Sequence, residues 1–191
     1  MSCMIEMLND GALDPSYIVQ WGDNGVASGD PLDISTCRFV YRDDPQAITV
    51  DIGATTVYVD RANRPGALLG FERQCALIRA DNMPGVAPVH LLFDVPVSAV
   101  GAHVSAVVPD PNALGKVYHA QLTVGFEGEW RRQTVSLPFR LSNTVGTAPF
   151  LAAQIVPPSP RITDVWFDVL GDTHVTPPPI QVAVNELRFL E

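Results

Sequence analysis

Between Gly101 and Phe126 the chain reads GAHVSAVVPDPNALGKVYHAQLTVGF, and its apolar residues fall on every second position. Ala102, Val104, Ala106 and Val108 share one phase, and Tyr118, Ala120, Leu122, Val124 and Phe126 share the matching one. His103, Ser105, His119, Gln121 and Thr123 take the other phase. A period of two is that of a strand with one buried face and one polar face. Apolar residues at i, i+3, i+4 and i+7 recur over no long stretch. The best short candidate, LLGFERQCALIRA at 68–80, fits a strand equally well. The chain is therefore expected to build its core from strands. The intervening PDPNALGK predicts an antiparallel hairpin between the two runs.

Further strands are expected at Ser16–Trp21, Thr36–Tyr41, Ala47–Ile52, Thr56–Asp60, Val89–Val95, Trp130–Leu137, Arg161–Val169 and Ile180–Leu190. Turn-rich joints such as RANRPG, DNMPG, FEGE and GDTHVTPPP separate them. Many short strands with regular turn punctuation predict an all-β antiparallel sandwich with jelly-roll topology. No linker or repeat divides the chain, so one domain over 1–191 is expected, with 1–45 as a less regular N-terminal extension. In FDVPVSAVG, Pro96 to Gly101 is expected to be the corner at which the chain leaves one sheet for the other. Proline ends a ladder, and glycine tolerates a bend or a close backbone approach. A second irregularity lies in IQVAVNELRFL. Ile180, Val182 and Val184 share a face, but Leu187 and Phe189 resume one position out of phase, which predicts a β-bulge at Asn185–Glu186.

The balance of 12 Lys and Arg against 21 Asp and Glu gives a net charge of −9, with Lys116 the one lysine. That charge disfavours nucleic acid and anionic membrane surfaces as partners. No apolar run is long enough to span a bilayer. The N-terminal MSCMIEMLND lacks a basic segment followed by an apolar one and is not expected to be a signal peptide. Cys3, Cys37 and Cys75 form no CxxC pair, so zinc or redox chemistry is not expected and buried thiols are. A Cys37–Cys75 bridge stays open.

No GxSxG elbow, phosphate-binding loop or GxGxxG fingerprint is present. His90, His103, His119 and His174 are scattered. His103 and His119 fall on one face of the expected hairpin and read as ordinary polar-face residues, or with a third ligand as a metal site. Glu127 with Glu129, and Asp164 with Asp168, are carboxylate pairs of the kind glycosidases use, although solvated charge explains both. DGALDPS and GDNGVASGD hold oxygen ligands suited to calcium but read as ordinary turns. Sugars bind by stacking on flat aromatic rings, with polar side chains fixing their hydroxyls. Trp130 beside Arg131 and Arg132, and Trp166 between Asp164 and Asp168, are the candidates for such a site. Core packing is expected for Trp21.

The segments HLLFDVPVSAVGAHVSAV, QLTVGFEGEW, APFLAAQIVPPSPRITDVWFDV and IQVAVNELRFL together resemble a family of bacterial β-sandwich domains. That family occurs in exported PEP-CTERM and related surface proteins, and the resemblance runs from about Pro65 to Glu191. It implies a jelly roll similar to galactose-binding-like and carbohydrate-binding modules, and an exported or surface location. It also implies a structural calcium near the first and last strands, at positions matching Asn185 and Glu186 with Asp51 or Asp60 as a partner. The leading expectation is a non-catalytic carbohydrate-binding module. A structural, self-assembling surface protein is the alternative, and a β-sandwich hydrolase ranks third.

Overall fold

The computed structural model describes residues 4–8, 12–13, 17–19, 21, 50–52, 57–61, 70–71, 76–81, 89–108, 110–144, 146–172, 179 and 181–190. Its strands are β1 (Ile5–Leu8), β2 (Tyr17–Val19), β3 (Val50–Ile52), β4 (Val57–Arg61), β5 (Ala76–Asp81), β6 (Val89–Val97), β7 (Ala99–Val107), β8 (Val117–Phe126), β9 (Arg132–Arg140), β10 (Phe150–Ile155), β11 (Ile162–Gly171) and β12 (Gln181–Leu190). One sheet has the order β1-β10-β7-β12-β5-β4, with β2 also paired to β12; the other has the order β3-β6-β11-β8-β9. Within them, β5 to β12 form two four-stranded antiparallel sheets, β10-β7-β12-β5 and β6-β11-β8-β9. Each consecutive strand from β5 onward enters the opposite sheet, except at the β8–β9 hairpin. That alternation is jelly-roll topology, and it fixes which faces meet.

The period-two phases are correct, but their partner is not the expected one. The runs before and after PDPNALGK do not form a hairpin, because β7 pairs with β10 and β12 while β8 pairs with β9 and β11. Val104 and Ala106 therefore meet the interior from one sheet, and Tyr118, Ala120 and Leu122 from the other. The link ending in Asp110–Lys116 joins β7 of one sheet to β8 of the other. Asp110 caps a 3-10 turn at Pro111–Ala113, its Oδ1 accepting the Asn112 N–H at 2.8 Å, and Gly115 takes φ +78° beyond it. His103 and His119 consequently lie on different sheets and share no face.

The corner in FDVPVSAVG is sharper than the sequence suggests. Val97 pairs in the five-stranded sheet and Ala99 in the seven-stranded one, so the chain crosses at Ser98. Ser98 N–H donates to the Leu190 carbonyl at 2.7 Å, and its own carbonyl accepts from Ile155 N–H at 2.9 Å. Pro96 sits where the β6–β11 register breaks between Leu92 and Val97, so its missing donor interrupts no regular ladder. Gly101 does not bend the chain at all. A side chain there would stand 2.5 Å from Ala152 Cβ and 2.8 Å from Phe150 Cζ, so its absence is what lets the phenyl ring lie on the strand.

The bulge lies where it was expected. Val184 faces Val104 and Leu187 faces Ala102, so two residues of β12 oppose one of β7. On its other edge β12 pairs with β5 up to Val184 and with β2 from Leu187, so the bulge is also the junction between two short neighbours. The stretch expected to be a less regular extension contributes β1 and β2, together with Leu13, 2% exposed, and Trp21, fully buried in the main core. Trp21 Nε1–H donates to the Asn185 carbonyl at 2.8 Å, which satisfies a backbone acceptor that the bulge frees. Residues 76–80 of the ambiguous 68–80 run belong to β5. The expected strand at Thr36–Tyr41, the three cysteines, His174 and GDNGVASGD lie outside the described residues.

Candidate binding face

The outward face of the five-stranded sheet is built by alternation. In β11, Val165, Phe167 and Val169 are buried, and Asp164, Trp166 and Asp168 point the other way. Antiparallel register then sets the neighbours. Trp166 stands opposite His90 of β6 on one side and Thr123 of β8 on the other, while Asp164 stands opposite Leu92 and Gly125. One strand further, Gly125 is opposite Arg132 and Thr123 is opposite Thr134, whose hydroxyls meet at 2.8 Å.

Trp166 is the centre of this face. The His90 ring stacks on it at 4.4 Å between centroids, 11° from parallel, and Arg132 Cζ lies 3.8 Å from its centroid. Because β6 and the β8–β9 pair flank β11 on opposite sides, the two groups approach from opposite sides. The cation–π geometry of Arg132 is close, and such contacts are worth about 0.5–2 kcal/mol. Both faces of the Trp166 ring are therefore engaged by protein, and it does not offer an open stacking surface.

Asp164 ties the face together. Its Oδ2 accepts from the Thr163 hydroxyl at 2.8 Å, and its Oδ1 lies 3.5 Å from His90 Nε2. At that length the second approach is electrostatic rather than a formed hydrogen bond, and buried Nε2 has no hydrogen-bond partner. Burial pushes the Asp164 carboxyl up, but Thr163 and the nearby His90 and Arg132 outweigh it and hold the pKa below the ordinary value. Asp168 is shifted the other way. Burial raises its pKa, against an opposing hydrogen bond from the Val169 N–H. The two carboxyls sit four residues apart on one strand face, a backbone separation of about 13 Å. Glycosidase pairs work at roughly 5–9.5 Å, so this pair is spaced too widely for that chemistry.

Trp130 and its neighbours occupy the β8–β9 turn at one end of the face. Gly128 takes φ +68° there, and Glu129 N–H donates to the Phe126 carbonyl at 3.1 Å. This leaves Trp130 84% exposed, with Arg131 Cζ 5.4 Å from its ring centroid. Of the four residues picked as ligand-binding, the structure joins Arg131 to Trp130 in the turn and Arg132 to Trp166 on the sheet. The sequence reading missed His90 and Gly125. His90 shows its outward phase in VHLLFDV, but its partner is set by register with a strand far along the chain.

The residues matched to calcium are not gathered in this way. Asp51 lies in β3, opposite Leu92 in the five-stranded sheet; Asp60 lies in β4, opposite Leu77 in the seven-stranded sheet. Asn185 and Glu186 form the β12 bulge. The Asn185 carbonyl takes the Trp21 hydrogen bond, and the Glu186 carboxylate is paired with Arg188, with Nε at 2.7 Å and Nη2 at 2.5 Å. Asp60 thus shares the seven-stranded sheet with the bulge while Asp51 lies on the other sheet, and the acid of the bulge already has its counter-charge in Arg188. Among the described residues no group of three His, Cys, Asp or Glu is placed to hold a metal ion. None of their helices is long and apolar enough to cross a membrane.

Fold and face together define a jelly-roll β-sandwich that carries an aromatic and cationic surface at one end of its smaller sheet. No protein-family model matches the chain, nor does any curated protein or solved structure.

Proposed function

We propose that the protein is a non-catalytic carbohydrate-binding module, related to the exported β-sandwich domains that its sequence resembles. The observation that carries this reading is Trp130. An indole left 84% exposed on the β8–β9 hairpin forgoes roughly 1.5–3 kcal/mol that burial would give a large apolar side chain. Every other tryptophan here is buried or engaged on both faces. A flat, open ring beside Arg131 is the chemistry that stacks on a pyranose and hydrogen-bonds its substituents. The experiment is thermal unfolding of the purified protein against a panel of mono- and oligosaccharides, since a ligand of the native state alone raises the midpoint. One sugar class is expected to raise it, and Trp130→Ala to abolish the shift while leaving the unliganded midpoint in place. A panel with no shift would remove the reading. Calcium addition and chelation in the same assay test the cation that the resemblance implies.

A further inference from the structure

The arginines beside Trp130 narrow the ligand further, on the basis of that reading. The chain is acidic overall, yet Arg131 and Arg132 follow the exposed indole directly. Among the described residues neither guanidinium is in an ion pair, whereas Arg188 is held by Glu186. The Arg161 carbonyl accepts the Glu127 N–H at 2.9 Å and so ties the turn to the start of β11, while the Arg161 guanidinium donates to the Pro96 carbonyl at 3.3 Å. The same turn carries Glu127, which is exposed, and Glu129, which is partly so. The indole thus separates two carboxylates, before it in the chain, from two guanidiniums after it.

We propose that the ligand is an acidic sugar: a uronate-bearing oligosaccharide with a pyranose ring on the Trp130 indole and its carboxylate on Arg131 and Arg132. A carboxylate matches the planar guanidinium fork, and the interaction is charge-assisted. The sugar hydroxyls, which a phosphate backbone lacks, supply donors for Glu127 and Glu129. A nucleic acid meets the arginines but offers little to the glutamates, and a neutral sugar lacks the charge-assisted contact to the arginines. Arg131 is the specificity-determining residue, since Arg132 is already spent partly on Trp166.

The test is calorimetric titration of the full chain with a galacturonate oligomer, a neutral galactose oligomer of equal length, and a single-stranded DNA of equal charge. Each is run at low salt and at about 0.15 M, where surface charges are screened beyond roughly 8 Å. The proposal expects the uronate oligomer to bind at least tenfold more tightly than the neutral one, and salt to weaken it. Arg131→Gln is expected to cost about tenfold for the uronate, the size of a lost charged hydrogen bond, and little for the neutral sugar. Circular dichroism confirms that the variant is folded. Equal binding of both sugars, with Arg131→Gln without effect, would overturn the acidic-sugar inference and leave the module reading standing. DNA binding as tight as the uronate would overturn it in favour of general polyanion capture. Binding of none of the three, together with a silent sugar panel, would remove both.

Discussion

Replacing Gly125 by alanine tests how the outward face is assembled. The new methyl carbon would stand 2.8 Å from Asp164 Cγ and 3.0 Å from Oδ1, and closer still to Oδ2. Carbon and carboxylate oxygen do not approach that closely, so the carboxylate must move. Its present site is defined by the Thr163 hydroxyl at 2.8 Å and His90 at 3.5 Å, with Arg132 reaching across the gap to Trp166. Losing one hydrogen bond to a charged group costs about 1.5–3 kcal/mol. Alanine recovers roughly 0.4–1 kcal/mol through the unfolded chain, so the net cost is on the order of 1–2 kcal/mol. For a chain of this size that lowers Tm by roughly 2–8 °C. The decisive measurement is a double-mutant cycle by denaturant unfolding. In an Asp164→Ala background the carboxylate is gone, and Gly125→Ala should then cost nothing or stabilise slightly. An equal cost in both backgrounds would show that Gly125 is required for another reason, and the slot would not be what organises the face.

The two shifted carboxyls give opposite signs of pH dependence. Asp164, held low, contributes stability that is complete above the ordinary carboxylate value and lost as pH falls through its folded value. Asp164→Asn should lower Tm at pH 7, with the difference closing in acid. Asp168, held high by burial, costs stability while ionised. Asp168→Asn keeps the acceptor for the Val169 N–H and should raise Tm at neutral pH by no more than about 2 °C, with the gain vanishing in acid. Trp21→Phe leaves the Asn185 carbonyl without its 2.8 Å donor and should cost about 1–3 kcal/mol by denaturant unfolding. Gly101→Ala forces a methyl against Ala152 and Phe150 and should cost about 1–3 kcal/mol in the same assay.

What the sequence conveyed was face, and what it withheld was partnership. The phases of Ala102 to Ala106 and Tyr118 to Phe126 follow from alternation, which is a local property, and every residue assigned to the core is buried, although Ser105 and Gly125 on the other phase are buried as well. Their assignment to one hairpin failed because a turn-rich link of eight residues can close a hairpin or cross a sandwich, and composition does not distinguish the two. Strand β10 escaped notice for a related reason. Leu151 and Ala153 face the main core while Phe150 and Ala152 pack on Leu13 and Ala99, so both faces are buried and no alternation remains to be read. The bulge was legible because it breaks a period that the same strand sets up. The outward face shows the same division. Trp166 and Arg132 could be named from the sequence, but not His90, because stacking at 4.4 Å is decided by the register of β6 on β11. Gly125 was silent for a simpler reason: a glycine within an alternating strand looks like a lapse until the carboxylate lying across it is seen. Trp130 stayed readable throughout because its setting is one turn long. A binding residue on a hairpin tip is specified by its neighbours in the chain, and a residue on a sheet face by neighbours that the topology brings from elsewhere.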